Sequence, residues 1–465
     1  MGYRITKNVI ELGFPNWNAE EKINISTSLI WPYIGSLAHY FHDWNTGIKI
    51  IGISFYFACI FLIYKMKFKG SDNIYLLLFG FITYIPAYLW FLGGIETSLA
   101  IFWGLLVVYI FNRYGPEHIL GWLVLSLGIL VRPEFILASI YPLFHLIIFH
   151  RKQSLKITAI AFFICSIAFW LSYNKLLFNN WLPTPAYIKS FAGHIIFQNG
   201  QSKIFIIGNG VVHLISSICI SIFLLISYIS ALFYTFQTIK NKFSSARLAS
   251  SEGQISHQES LVMIFLGFLS INIYHAYSGY MHMGFTFRYL LPANIAILAI
   301  GALLLRENSS VAKKTMLLLS VQAGVFITSL IFVFGGEFSL TRAKHRDGFS
   351  LSNYASFMQP WVKIGNTLHG LAKPGDRLWA KDGTNLAGSA LSGMYSLDGL
   401  LTPLSYSVFP EIRNCQGFDC AKYFDYIFLQ NTDIKNWPEL VESPKNYSII
   451  IENPTIIVLK NLERK

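Results

Sequence analysis

Charge is scarce in this chain. Asp, Glu, Lys and Arg supply 13% of its 465 residues, about half of the roughly 25% of an ordinary soluble domain. Apolar residues reach 54% and aromatics 16%, which excludes a disordered chain and makes a water-soluble globular enzyme a poor fit. Cysteine is also sparse: five residues are too few for a disulfide-stapled secreted domain. No charged, apolar and small-residue sequence of a cleavable leader opens the chain. The glycine-rich phosphate loop, the dinucleotide fingerprint, the paired-histidine zinc motif and the paired-cysteine motif are all missing. ATP hydrolysis, nicotinamide binding and structural zinc therefore have no support in the residues.

What is present is a succession of long apolar runs. They cover about 47–65, 74–93, 98–112, 119–132, 134–149, 157–173, 206–235, 261–281, 289–305 and 315–334. A spanning helix needs roughly 20 such residues, so the chain reads as an all-α polytopic membrane protein with about ten transmembrane helices. From 335 to 465 charge, Gly and Pro return, and short apolar strands such as Tyr447–Ile451 and Thr455–Leu459 appear. This stretch is expected to be a small α/β domain. Three regions follow: an N-terminal loop segment over 1–46, a transmembrane domain over 47–336 and a soluble domain over 337–465. The Ser-rich segment 244–259 reads as a linker. Cys59, Cys165 and Cys219 sit in apolar runs and read as small core residues. Cys415 and Cys420 are either free thiols or a pair.

The net charge of +12 is explained by where the cations fall. Lys65, Lys67, Lys69, Arg113, Arg151, Lys152, Lys240, Lys242 and Lys313 lie in one alternate set of loops. Short loops rich in Lys and Arg stay in the cytoplasm. The other loops, residues 1–46 and the C-terminal domain are then extracytoplasmic, and the chain is a multi-pass protein of the inner (plasma) membrane in contact with the lipid bilayer. Read this way, the charge indicates topology and no nucleic-acid partner. A polar segment of 46 residues crossing without a preceding span is awkward: either the chain inserts in an unusual way, or a first helix lies upstream of Met1.

The outer loops contain the residues most costly to place near a bilayer. Gly93-Gly94-Ile95-Glu96-Thr97 puts a carboxylate between two apolar runs; the competing reading is a side chain solvated in a tight turn. In Val131-Arg132-Pro133-Glu134 the proline stops a helix and leaves an arginine and a carboxylate at the boundary. Arg132 suits a phosphate, which its fork can hold, and equally a snorkelling role. The loop from Asn174 to Ser190 combines Asn179, Asn180 and Trp181, amides and an aromatic face of the kind that hold sugars, with a rigid Leu-Pro-Thr-Pro piece and then Tyr187 and Lys189. An interfacial aromatic belt is the alternative there. Arg288, at an outer span end, faces an anionic leaving group or merely the interface. His275 and His282 lack metal-ligand spacing, and no metal site is expected.

Taken in order, Gly-Ile-Glu-Thr, Arg-Pro-Glu, Asn-Trp-Leu-Pro-Thr-Pro-Ala-Tyr-Ile-Lys, Arg-Tyr-Leu-Leu-Pro, Asp382-Gly383 and Ser396-Leu397-Asp398-Gly399-Leu400 resemble the bacterial GT-C class of integral-membrane glycosyltransferases. The pattern looks closest to the mycobacterial arabinofuranosyltransferase and related mannosyltransferase-like group. The resemblance runs from about Tyr3 to Leu459. It implies a GT-C-like fold and transfer of a sugar from a polyprenyl-phosphate sugar donor to a glycan, lipid or protein acceptor at the outer face. By matching positions it implies that Glu96 and Glu134 are the catalytic candidates. Arg132, Tyr187, Lys189 and Arg288 would bind substrate, joined by Asn179 and Trp181 from the sugar-loop reading. The resemblance names no cofactor.

Departures from the pattern are specific. Phe135 stands where the group has Gly, and Thr184-Pro185 where it has Asn-Thr. Met281, His282 and Met283 fill a region that often carries Asp. The group's paired aspartates would fall just before Met1, which agrees with the absent first helix and leads to the expectation that the chain starts too late and transfers weakly as written. Two other readings are a transporter or flippase, which inverted repeats would favour though none is visible, and a GT-C relative that has lost its base.

Overall fold

The computed structural model describes residues 2–17, 24–41, 43–66, 71–93, 95–150, 152–183, 185, 203–245, 256–278, 287–305, 322, 363–371, 373, 376–380, 395–398, 422–430, 446–452 and 456–463. They divide into two compact units. One takes its residues from 1–26, 174–192 and 351–465, the other from 27–173 and 193–350.

The larger unit is helical. Its helices are α2 (Trp31–Ser36), α3 (Trp44–Lys65), α4 (Ser71–Ile82), α5 (Ile85–Phe91), α6 (Thr97–Tyr114), α7 (Ile119–Val131), α8 (Phe135–Phe149), α9 (Gln153–Phe178, whose last turns pass into the smaller unit), α10 (Lys203–Cys219), α11 (Ile222–Ser245), α12 (His257–Ser278) and α13 (Leu291–Leu304). Among the described residues five stretches, Thr46–Lys65, Thr97–Tyr114, Gln153–Phe178, Ile222–Lys240 and His257–Tyr277, are long and apolar enough to cross a membrane, and shorter apolar helices accompany them. The expected ten spans are thus not all matched by span-length helices. The run at 74–93 divides into α4 and α5 before Pro86, and the run at 206–235 divides into α10 and α11 around Ser221. The run at 315–334 lies outside the described residues apart from Gln322, as do most of the Ser-rich linker and both Cys415 and Cys420.

Burial sorts the helices. All fourteen residues of α13 are buried, and α6 and α12 are mostly buried, whereas only 33% of the α3 stretch and 22% of the α9 stretch are buried. In a bilayer the unburied surface faces lipid, so apolarity alone does not mark the core. Cys165 and Cys219 show the consequence. Both are exposed while Cys59 is buried, which corrects the reading of all three as core residues.

The central helix is rich in small side chains, and small residues let helix backbones approach. A Cβ placed on Gly301 would lie 2.3 Å from the Cα of Ser227 on α11. Several of the buried polar side chains in this unit meet in one net around Asn294. Asn294 Nδ2 donates to Tyr84 Oη (3.2 Å) and Ser217 Oγ (3.1 Å). Its Oδ1 accepts from Tyr228 Oη (2.8 Å) and Asn272 Nδ2 (2.9 Å). Four helices and the α4–α5 turn meet in this buried net. Ionic side chains gather instead at the helix ends. At one end Lys152 pairs with Glu117, His145 approaches Glu259 at 3.1 Å and His257 meets Asn112 at 3.0 Å. The other end carries the cluster treated in the next subsection.

The smaller unit contains α1 (Gly2–Leu12) and a five-stranded sheet of β1 (Arg377–Ala380), β2 (Tyr395–Asp398), β3 (Tyr426–Gln430), β4 (Tyr447–Glu452) and β5 (Ile456–Asn461). The order is β2-β1-β3-β5-β4. β1 is parallel to β2 and β3, while β5 is antiparallel to β3 and β4. Ile364 and Leu368, from a helical stretch over 363–371, pack with Leu378, Tyr426, Phe428 and Val458. The chain after α1 is held by Asn8 Nδ2, which donates to the carbonyls of Asn16 (2.7 Å) and Trp17 (3.2 Å), and by the Arg4 guanidinium 4.8 Å from the Trp17 ring.

A leucine at Gly301 must push α13 away from the backbone of α11, because the obstacle is not a flexible side-chain tip. The expected cost of Gly301→Leu is about 1–3 kcal/mol, read as a lower Tm in detergent. Gly208, where an added Cβ meets nothing within 4 Å, tolerates Ala in the same assay.

Candidate functional site

Three breaks between helices supply the site. Arg132 precedes a proline, and its backbone is extended (φ −154°, ψ 132°), as the proline ring requires. Helix α8 restarts at Phe135 with Glu134 at its N-cap, where the Glu134 side chain makes no capping bond. Its carboxylate turns to the arginine instead: Arg132 Nη2 donates to Oε1 at 2.8 Å and Nε to Oε2 at 3.2 Å. Glu96 holds the corresponding place before α6, where the helix N-terminus favours a negative charge. Arg288 comes from the turn before α13. Phe287 there adopts φ 62°, uncommon for a non-glycine residue, and is buried with Leu290 against Leu214 and Ile220. Leu290 N bonds Phe287 O at 2.8 Å, and Pro292 begins the next helix.

The three breaks converge. Arg288 Nη2 donates to Glu96 Oε1 at 2.6 Å, joining residues 192 apart in sequence. The Tyr289 ring has the Arg132 guanidinium at 5.2 Å and that of Arg288 at 5.4 Å, and the Trp90 ring lies 5.4 Å from Arg288. His275 stacks on Tyr289 (centroids 5.3 Å, interplanar 25°), with Nε2 3.8 Å from Glu134 Oε1. Two cations, two carboxylates and three rings therefore share one end of the helical unit.

Burial sets the energetics. Glu96 is 8% exposed and Arg132 2%. Burial pushes the Glu96 carboxyl up, but the charges of Arg288 and Arg132 outweigh it and hold the group below the ordinary carboxylate value. The likewise buried Arg132 guanidinium is compensated by the Glu134 carboxylate that it binds through two contacts. These geometries rule out a Glu96 solvated in a turn and an Arg132 snorkelling to the interface. Arg132 Nη1 and Arg288 Nε, both buried, have no hydrogen-bond acceptor among the described residues, so each guanidinium retains donor capacity for an added anion.

Four of the candidate side chains, Glu96, Arg132, Glu134 and Arg288, are thus brought together. Asn179 and Trp181 belong to the smaller unit. Asn179 has φ 56°, a conformation asparagine tolerates, and its Oδ1 accepts from Lys175 Nζ at 2.9 Å. That ammonium lies 6.0 Å from the Trp181 ring, and Trp181 is 55% exposed, an aromatic face open to solvent. Tyr187 and Lys189 lie outside the described residues. Sequence reasoning missed Trp90 and Tyr289 and considered His275 only as a metal ligand. Aromatics at span ends read as an interfacial belt, and only adjacency to Arg288 singles out Tyr289. Among the described residues no group of three His, Cys, Asp or Glu is placed to hold a metal ion.

No protein-family pattern matches the chain, and no curated protein sequence does. Among solved structures it is similar to ArnT from Cupriavidus metallidurans in the apo state, with 9% identity, a TM-score of 0.55, and coverage of 99% of this chain and 92% of that one. It is similar to the same protein bound to undecaprenyl phosphate, with 10% identity, a TM-score of 0.55, and coverage of 100% and 93%. At such identity the likeness concerns the fold alone: the chain shares the overall architecture of ArnT, in keeping with a membrane protein of many helices.

The local Arg132–Glu134 pair can be tested by a double-mutant cycle. Removing one member of a buried pair leaves an uncompensated charge and costs about 3–5 kcal/mol. Arg132→Ala or Glu134→Ala alone should lower thermal stability in detergent more than the double replacement does.

Proposed function

We propose that the chain is a membrane glycosyltransferase that moves a sugar from a polyprenyl-phosphate donor to an acceptor at the extracytoplasmic face of the plasma membrane. The observation that carries this reading is the juxtaposition of Arg132 and Arg288 about the Tyr289 ring at one end of an apolar helical unit, each with a buried nitrogen that has no acceptor among the described residues. A lipid-linked phosphate needs an apolar surround for its chain and fixed cations for its charge. As the sugar departs, charge builds on the phosphate, and preorganised cations stabilise it. The likeness to a fold that holds undecaprenyl phosphate in a solved structure supports the same donor class here.

The acceptor hydroxyl must lose a proton, a task for a positioned base. Glu96 and Glu134 are the carboxylates within the cluster. The exposed Trp181 face with Asn179 suits a sugar ring, and the acceptor is a glycan, a lipid or a protein. Tyr187 and Lys189 enter on the motif order alone, as does kinship with the mycobacterial arabinofuranosyltransferase-like group. A transporter or flippase would use the same charges without breaking a bond, and a GT-C relative without a base would bind and not transfer.

The test is transfer by membranes given a panel of radiolabelled polyprenyl-phosphate sugars. One donor is expected to label an acceptor, and Arg288→Ala to lower that rate by about 10²–10³-fold, the range seen when a preorganised transition-state donor is removed. Movement of the lipid across the bilayer without sugar transfer would select the flippase reading.

A further inference from the structure

The two ion pairs are not equivalent. Arg132 and Glu134 are two residues apart and meet through two contacts on the Nε/Nη2 edge of the guanidinium; the Arg132 side chain is 3% exposed. Arg288 and Glu96 meet through one contact, at Nη2, and the Arg288 side chain is 23% exposed. Its Nε, on the same edge, has no acceptor among the described residues. Glu96 therefore occupies half of an edge that a phosphate would take whole, in the two-point manner that suits a guanidinium. Arg288 is also held independently of Glu96, by Trp90 and Tyr289, each ring 5.4 Å away.

Charge balance adds a constraint. Two carboxylates already match two guanidiniums, with His275 facing Glu134. An entering anion therefore finds no spare cation, and gains a guanidinium only by taking over a contact that a carboxylate already holds.

We propose that Glu96–Arg288 is an exchangeable pair: the donor phosphodiester displaces the Glu96 carboxylate from the Nε/Nη2 edge of Arg288, and the released Glu96 takes the acceptor's proton while Arg132–Glu134 stays closed. This rests on the donor class proposed above and separates the two carboxylates, giving Glu96 the chemistry and Glu134 the positioning of Arg132. Freed from the cation beside it, Glu96 keeps its burial and becomes the stronger base. In the step the acceptor O–H proton passes to Glu96, and the acceptor oxygen bonds to the anomeric carbon. The bond from that carbon to the phosphate oxygen breaks, and its electron pair remains on the phosphate. One negative charge leaves Glu96 and one appears on the phosphate at Arg288, so the total is unchanged and the new charge lies beside the cation.

The test measures binding of undecaprenyl phosphate to the purified full chain in nanodiscs by native mass spectrometry, with neutral undecaprenol as the reference. Wild type is expected to prefer the phosphate. Glu96→Gln, which removes the competing charge, should bind the phosphate about tenfold more tightly and lose transfer. Arg288→Gln should lose the preference. Equal or weaker phosphate binding by E96Q overturns the exchange and leaves the donor reading standing. No preference in wild type overturns the donor reading itself. If E96Q does not fold, infrared difference spectra of wild type with undecaprenyl phosphate minus undecaprenol read the same event. A shifted carboxylate band supports the exchange, and an unchanged carboxylate region overturns it.

Discussion

The helical unit depends on settling charge where water is scarce. An arginine and a carboxylate near apolar surface are each expensive alone and acceptable together, so the breaks that carry Glu96, Glu134, Arg132 and Arg288 have to meet. Meeting requires each helix to end at the right place. Pro133 stops α7, Pro292 starts α13, and the N-termini of α6 and α8 receive the two carboxylates. The Tyr289 ring stands close to both guanidiniums and receives each on a π-face, which favours a cation.

Beneath the cluster, the Tyr84, Ser217, Tyr228, Asn272 and Asn294 net gives the helices a definite mutual arrangement. Apolar packing alone is weakly directional, and a buried hydrogen-bond net costs free energy if its members separate. Asn294 stands six residues after Arg288, so the net also fixes the helix whose leading turn presents that arginine. Packing of small residues along α13 then sets how closely its neighbours approach. Structure and proposed chemistry thus use the same elements: the forces that hold the helices at their ends also aim the charges at one place.

Much of the architecture was legible from the residues. Apolar runs predicted helices that appear as α3, α6, α7, α8, α9, α12 and α13, because segments without charge have few other ways to satisfy their backbones in lipid. The short apolar strands expected at Tyr447–Ile451 and Thr455–Leu459 likewise correspond, with slightly different ends, to β4 and β5. Hydropathy could not show where a run divides, since the breaks at Thr83–Tyr84 and Ile220–Ser221 carry little polarity. It also could not tell core from lipid face, as Cys165 and Cys219 illustrate.

For the site, the residue types and their order in the chain nominated Glu96, Arg132, Glu134 and Arg288, and composition alone indicated that such groups near a bilayer need partners. Which partner each takes was decided only in three dimensions. Glu134 finds Arg132 within its own turn, whereas Glu96 finds Arg288 from 192 residues away, a pairing that no local pattern encodes. Trp90, Tyr289 and His275 joined the cluster for the same reason: an aromatic side chain at a helix end reads alike whether it faces lipid or a guanidinium, and only the folded arrangement brings the cation to the ring.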